Sequence, residues 1–126
     1  MALSLISLSH FTRPSRIIFG DGTFKREGLR DVLQWMVENR GYGYFQHLEY
    51  FQISNHYIAW NTGNSDALTN EIVSCLSTIC NDPTNFPRIR EFNLNSNGYN
   101  LLDHSFATAL ESACSGSSRH IVIQVS

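Results

Sequence analysis

The sequence predicts an α/β fold: a short β-α solenoid with a parallel sheet on one face and helices on the other. Three observations carry this expectation. The first is a spacing that occurs twice. Leu48, Phe51 and Ile53 open the run Leu48 to His56, and Ile89, Phe92 and Leu94 open the run Ile89 to Asn97. In both runs large apolar residues hold the first, fourth and sixth places. The second is that a segment of helical period follows each copy. The third is the alternation of strand-like and helix-like segments along the chain. A recurring strand-plus-helix unit cannot bury its apolar face alone, so the recurrence implies stacking.

Each element has a local reason. Leu3, Leu5 and Leu8 alternate with serines, which suits a strand better than a signal peptide because no basic segment precedes them. Arg16 to Phe19 is a short β-type run, closed by the turn residues Gly20-Asp21-Gly22. Phe24, Leu29, Val32, Leu33, Met36 and Val37 then recur at three- and four-residue spacing and predict an amphipathic helix. Asp21 or Thr23 is placed to cap its start, and Gly41-Tyr42-Gly43 to end it.

Leu48 to Ser54 reads as a strand with Phe51 and Ile53 on one side and Tyr50, Gln52 and Ser54 on the other. Tyr57 to Trp60 has the composition of a further short strand, and Asn61 to Asp66 that of a loop with Ser65 or Asp66 as a cap. Leu68, Ile72, Cys75, Leu76 and Ile79 predict a second helix that stops at Asn81-Asp82-Pro83. Ile89 to Asn95 is the second strand copy. Leu102, Phe106, Ala109, Leu110 and Ala113 mark a third helix, and His120 to Val125 a final strand with no helix after it.

Strands centred near Phe19, Phe51, Phe92 and Ile123 lie about 32, 41 and 31 residues apart. The longer middle interval is accounted for by a polar insertion over 57–66. The 126 residues make one domain or part of one. Charged residues are only 16% and the formal net charge is -2, so no basic field points to nucleic acid. No run approaches the ~18 apolar residues of a membrane span. The 3 cysteines form no C-x-x-C pair and fit a reduced, intracellular chain, in keeping with a cytoplasmic protein.

The two strand copies resemble the strand core of a leucine-rich repeat of the long, ribonuclease-inhibitor-like kind. Asn97 holds the asparagine place of that pattern in the second copy, and His56 replaces it in the first. Gly98 to Leu110 resembles the turn and helix that follow. A related resemblance is to the repeat-like domains that follow an F-box in substrate adaptors. It is carried by Trp35 to Asn39 and then Leu48 to Ile53, although no F-box itself is visible. The resemblance implies that Asn97 satisfies backbone groups at the turn out of the strand. It also implies a non-catalytic module that binds a protein partner through the outer strand face. The residues expected on that face are Tyr50, Gln52, Ser54, Glu91, Asn93 and Asn95. Uncapped terminal strands would favour flanking repeats, a partner or self-association.

Chemistry-bearing residues are sparse. Gly20 to Thr23 lacks the spacing of a phosphate-binding loop and reads as a turn. Cys114, His120 and Asp103 have the residue types of a nucleophile, base and orienter. A buried helix cysteine and a surface histidine are the better reading of the first two. His10, His47, His56, His104 and His120 show no ligand spacing, so neither a metal nor another cofactor is expected. Tyr42, Tyr44, Phe45, Tyr50 and Phe51 form an aromatic run, and Tyr50 is its candidate partner anchor. One rival fold is a compact ferredoxin-like β-α-β-β-α-β domain of regulatory or RNA-binding type. It requires Tyr57 to Trp60 to pair antiparallel with Leu48 to Ile53, whereas stacked repeats require parallel strands in sequence order.

Overall fold

The computed structural model describes residues 13–54, 58, 65–95, 97 and 104–126. Among the described residues are four strands and three α-helices: β1 (Arg16–Phe19), α1 (Lys25–Glu38), β2 (Tyr50–Ile53), α2 (Ser65–Cys80), β3 (Glu91–Asn93), α3 (His104–Ser112) and β4 (Val122–Gln124). The strands form one sheet in the order β1-β2-β3-β4, and every neighbouring pair is parallel. A ferredoxin-like domain would need an antiparallel hairpin after β2, and the sheet has a different order. The Tyr57 to Trp60 strand and the Leu3 to Leu8 strand fall outside the described residues, apart from Ile58, which is buried.

Register explains which side chains share a face. Ile17 stands beside Phe51, Phe51 beside Phe92, and Phe92 beside Ile123. This inward rung is continuous with Ile53, Leu94, Leu33, Met36, Ile72, Leu76 and Leu110 in one apolar core. Phe51 and Phe92 are fully buried, with ring centroids 5.7 Å apart. The partner of Phe51 is Ile17, not Phe19, which pairs with Ile53. The first interval is therefore about 34 residues rather than 32, and Arg16 and Ile18 face outward.

The start of α1 follows another local rule than the one expected. Phe24 occupies the cap of α1 with no side-chain cap bond, so neither Asp21 nor Thr23 serves there. The helix stops at Glu38, where the Asn39 amide donates to the Trp35 carbonyl at 2.9 Å. A 3-10 turn, Arg40–Tyr42, then closes on Gly43, whose φ of +79° is the left-handed geometry glycine adopts freely. Helices α1 and α2 pack side by side. Arg26 of α1 is buried between them, its Nε donating to the Ile58 carbonyl at 3.2 Å and its guanidinium lying 3.7 Å over the Phe106 ring. Arg30 of α1 bridges to Glu71 of α2 at 2.7 Å.

Asn97 is almost fully buried. Its side-chain amide donates to the carbonyls of Leu94 at 2.8 Å, Ile53 at 2.9 Å and Asn95 at 3.1 Å. It thus ties the end of β3 to the end of β2. The reduced state expected for the cysteines is not what the structure holds. Cys80, at the end of α2, is bonded to Cys114, just past α3, with Cα atoms 5.7 Å apart. Cys75 is free. The inference to an intracellular compartment rested on unpaired thiols and loses that support. No helix among the described residues is long and apolar enough to cross a membrane.

Candidate binding face on the outer side of the sheet

Because side chains alternate along a strand, the parallel register builds two outward rungs. One is Arg16, Tyr50, Glu91 and Val122, and the other is Ile18, Gln52, Asn93 and Gln124. Five of the six expected face residues, Tyr50, Gln52, Glu91, Asn93 and Asn95, come together here. Ser54 lies just beyond the end of β2, half-buried.

The middle of the face is a fixed polar network. The Tyr50 hydroxyl donates to Gln52 Oε1 at 2.6 Å and accepts from Asn93 Nδ2 at 2.9 Å. Asn93 Oδ1 in turn accepts from the backbone N–H of Asn95 at 3.1 Å. Asn95 Nδ2 donates to Gln124 Oε1 at 3.0 Å, and Gln124 Nε2 donates to Glu91 Oε2 at 2.6 Å. The chain of bonds runs without a break from β2 to β4. Such a network holds side chains in one rotamer, so little further freedom is lost when a partner covers them. Ile18, 51% exposed, and Val122, 40% exposed, give the two margins apolar character.

Sequence reasoning missed Arg16, Ile18, Val122 and Gln124. Period-two alternation through Arg16 to Phe19 and Ile121 to Val125 contains the signal. Ile17 and Phe19 share the inward side at period two, as do Ile121, Ile123 and Val125, so the residues between them point outward. Arg16 lies over the Tyr50 ring with its guanidinium carbon 4.2 Å from the centroid.

At the amino-terminal edge of this face a groove of about 470 Å³ crosses the strands. Arg16, Glu49, Tyr50, Arg90, Glu91 and Val122 line it. Arg90 pairs with Glu49 at 3.1 Å. His120 stands in the same lining and not beside an activated thiol. Cys114 is committed to its bond with Cys80, which removes the nucleophile from the Cys114–His120–Asp103 arrangement; Asp103 lies outside the described residues. Burial pushes the Cys75 thiol above its ordinary pKa, and the nearby Glu71 and Glu38 carboxylates push it the same way. The thiolate is thereby suppressed at neutral pH.

The aromatic run divides into separate groups. Phe45 and Phe51 are core residues. Tyr42, Tyr44 and Trp35 stack in series at the end of α1, with centroids 5.6 and 6.1 Å apart. Tyr50 alone belongs to the strand face. Among the described residues no group of three or more His, Cys, Asp or Glu side chains is arranged to hold a metal ion.

Comparison with protein-family models, with curated proteins and with solved structures finds no match to this chain.

Proposed function

We propose that this chain is a leucine-rich-repeat-like solenoid unit that binds a protein partner through its outer strand face and catalyses no reaction. The observation that carries this reading is the pair of outward rungs locked by the Tyr50–Asn93–Gln124 network. A catalytic surface would need a reactive group, and the face offers amides, a tyrosine, a guanidinium stacked on that tyrosine and a hydrogen-bonded carboxylate. A partner surface needs fixed hydrogen-bonding groups, an aromatic anchor and apolar margins, which these rungs supply. Strand order and the role of Asn97 support the stacked-repeat part of the proposal. In a repeat array each unit contacts its sequence neighbours, as β1, β2, β3 and β4 do. A second copy of the chain, meeting the apolar margins at Ile18 or Val122, is the natural competitor for the face.

The test is quantitative co-purification from cells with the tagged chain and its Tyr50→Ala/Asn93→Ala variant. The expected result is a protein that is enriched by the parent chain and falls at least about tenfold in the variant, as loss of one hot-spot side chain commonly produces. Thermal unfolding of the variant should remain cooperative at a somewhat lower midpoint, because the hydrogen bonds lost lie on the half-buried face and not in the core. Equal enrichment by both chains contradicts the strand-face assignment.

A further inference from the structure

Asn97 is the only asparagine of the chain that is followed directly by glycine. Such a pair is prone to lose the side-chain amide, because glycine has no Cβ to block attack by its own backbone nitrogen. The reaction stays within the chain. The backbone nitrogen of residue 98 gives up its proton and bonds to Cγ of Asn97. The Cγ–Nδ2 bond breaks, ammonia leaves with that proton, and a five-membered succinimide ring closes. Water then opens the ring at either carbonyl, leaving Asp or the β-linked isoaspartate. No oxidant or reductant takes part.

In the fold the departing group is held. Asn97 is 1% exposed, and its Nδ2 donates to the carbonyls of Leu94, Ile53 and Asn95 at 2.8, 2.9 and 3.1 Å. An amide nitrogen must leave its plane and take up a proton before it departs. The three carbonyls keep it planar and have no proton to give, and burial keeps out the water that would relay one and open the ring. We propose that Asn97 is a site of spontaneous deamidation that the native fold suppresses and unfolding releases. Conversion removes the donor that the three carbonyls share and sets a charged oxygen before them. Isoaspartate also adds a methylene to the backbone where the chain leaves β3. A converted chain therefore does not close again on the parent structure, and a reversible opening becomes an irreversible one. Neither step depends on what binds the strand face.

The experiment keeps the full chain at mildly alkaline pH, either native or in guanidinium chloride. The tryptic peptide from Glu91 to Arg119 is followed by chromatography and mass spectrometry that separate Asn, Asp and isoaspartate. The unfolded chain is expected to convert at Asn97 ahead of Asn93 and Asn95. The native chain should convert at least about a hundredfold more slowly, since a folded domain is open for about a thousandth of the time or less. Reducing the Cys80–Cys114 bond in native buffer should speed conversion, because it makes opening more frequent. Gly98→Ala, measured in denaturant so that its own folding does not matter, should lose most of the fast conversion. Converted chain returned to native buffer should not regain the parent unfolding midpoint. Equal rates in native and unfolded chain, conversion at Asn93 or Asn95 instead, or a converted chain with the parent midpoint overturns the proposal.

Discussion

Breaking the Cys80–Cys114 bond is expected to lower the stability of the chain by about 4 kcal/mol. The bond closes a loop of sequence separation 34, and the chain-entropy account assigns roughly this much to a loop of that length. Against the ~5–15 kcal/mol that holds a typical domain together, the loss is large. Its position explains why the effect reaches the fold. Cys80 ends α2, Cys114 follows α3, and Ser117 and Arg119 then anchor the approach to β4 by donating to the Cys80 and Phe86 carbonyls at 3.0 and 2.6 Å. Urea unfolding of the parent chain with and without reductant measures the effect. The midpoint should fall on reduction, and Cys80→Ala/Cys114→Ala should be low and indifferent to reductant. Thiol titration of the unfolded, unreduced protein should find Cys75 alone. Three reactive thiols there would contradict the pairing.

Replacing Asn97 by alanine is expected to cost about 2–4 kcal/mol. The residue is 1% exposed and serves carbonyls on two consecutive strand ends. Its removal leaves buried acceptors without donors, and each such acceptor costs about 1–3 kcal/mol. Asn97→Asp is the sharper variant. It keeps the shape but turns the donating amide into an oxygen that faces the carbonyls of Ile53, Leu94 and Asn95. It should destabilise at least as much as Asn97→Ala in urea unfolding at neutral pH. An Asn97→Asp protein as stable as the parent would mean that the amide does not tie β2 to β3.

Much of this architecture is legible in the sequence because the side-chain period of a strand is short and unambiguous. Phe51, Ile53, Phe92 and Leu94 are inward, and Tyr50, Gln52, Glu91 and Asn93 are outward, as alternation dictates. The role of Asn97 is legible only through the resemblance to a leucine-rich repeat, which implies an asparagine that satisfies backbone groups at the turn out of the strand. Register was less legible. Arg16 to Phe19 offers three apolar residues in a row, and only pairing with Phe51 decides that Ile17 points inward. Without that pairing the apolar Ile18 does not read as an outward residue. The disulfide was hidden for a different reason. Cys80 and Cys114 are separated by a strand and a helix, and sequence spacing cannot report that two helix ends meet. Asp21 and Thr23 are good cap residues, but the chain passes both before α1 begins at Lys25.

The strand face is the centre of the account, and site-specific photocrosslinking tests it most directly. A benzophenone side chain placed at Gln52 or Asn93 should give a discrete adduct with a partner protein in cells. The same group at Ser74, exposed on α2, should give none. The Gln52 adduct should also vanish when Tyr50→Ala is added. Adducts at Ser74 with none at Gln52 or Asn93 would place the partner on the helices and contradict the account.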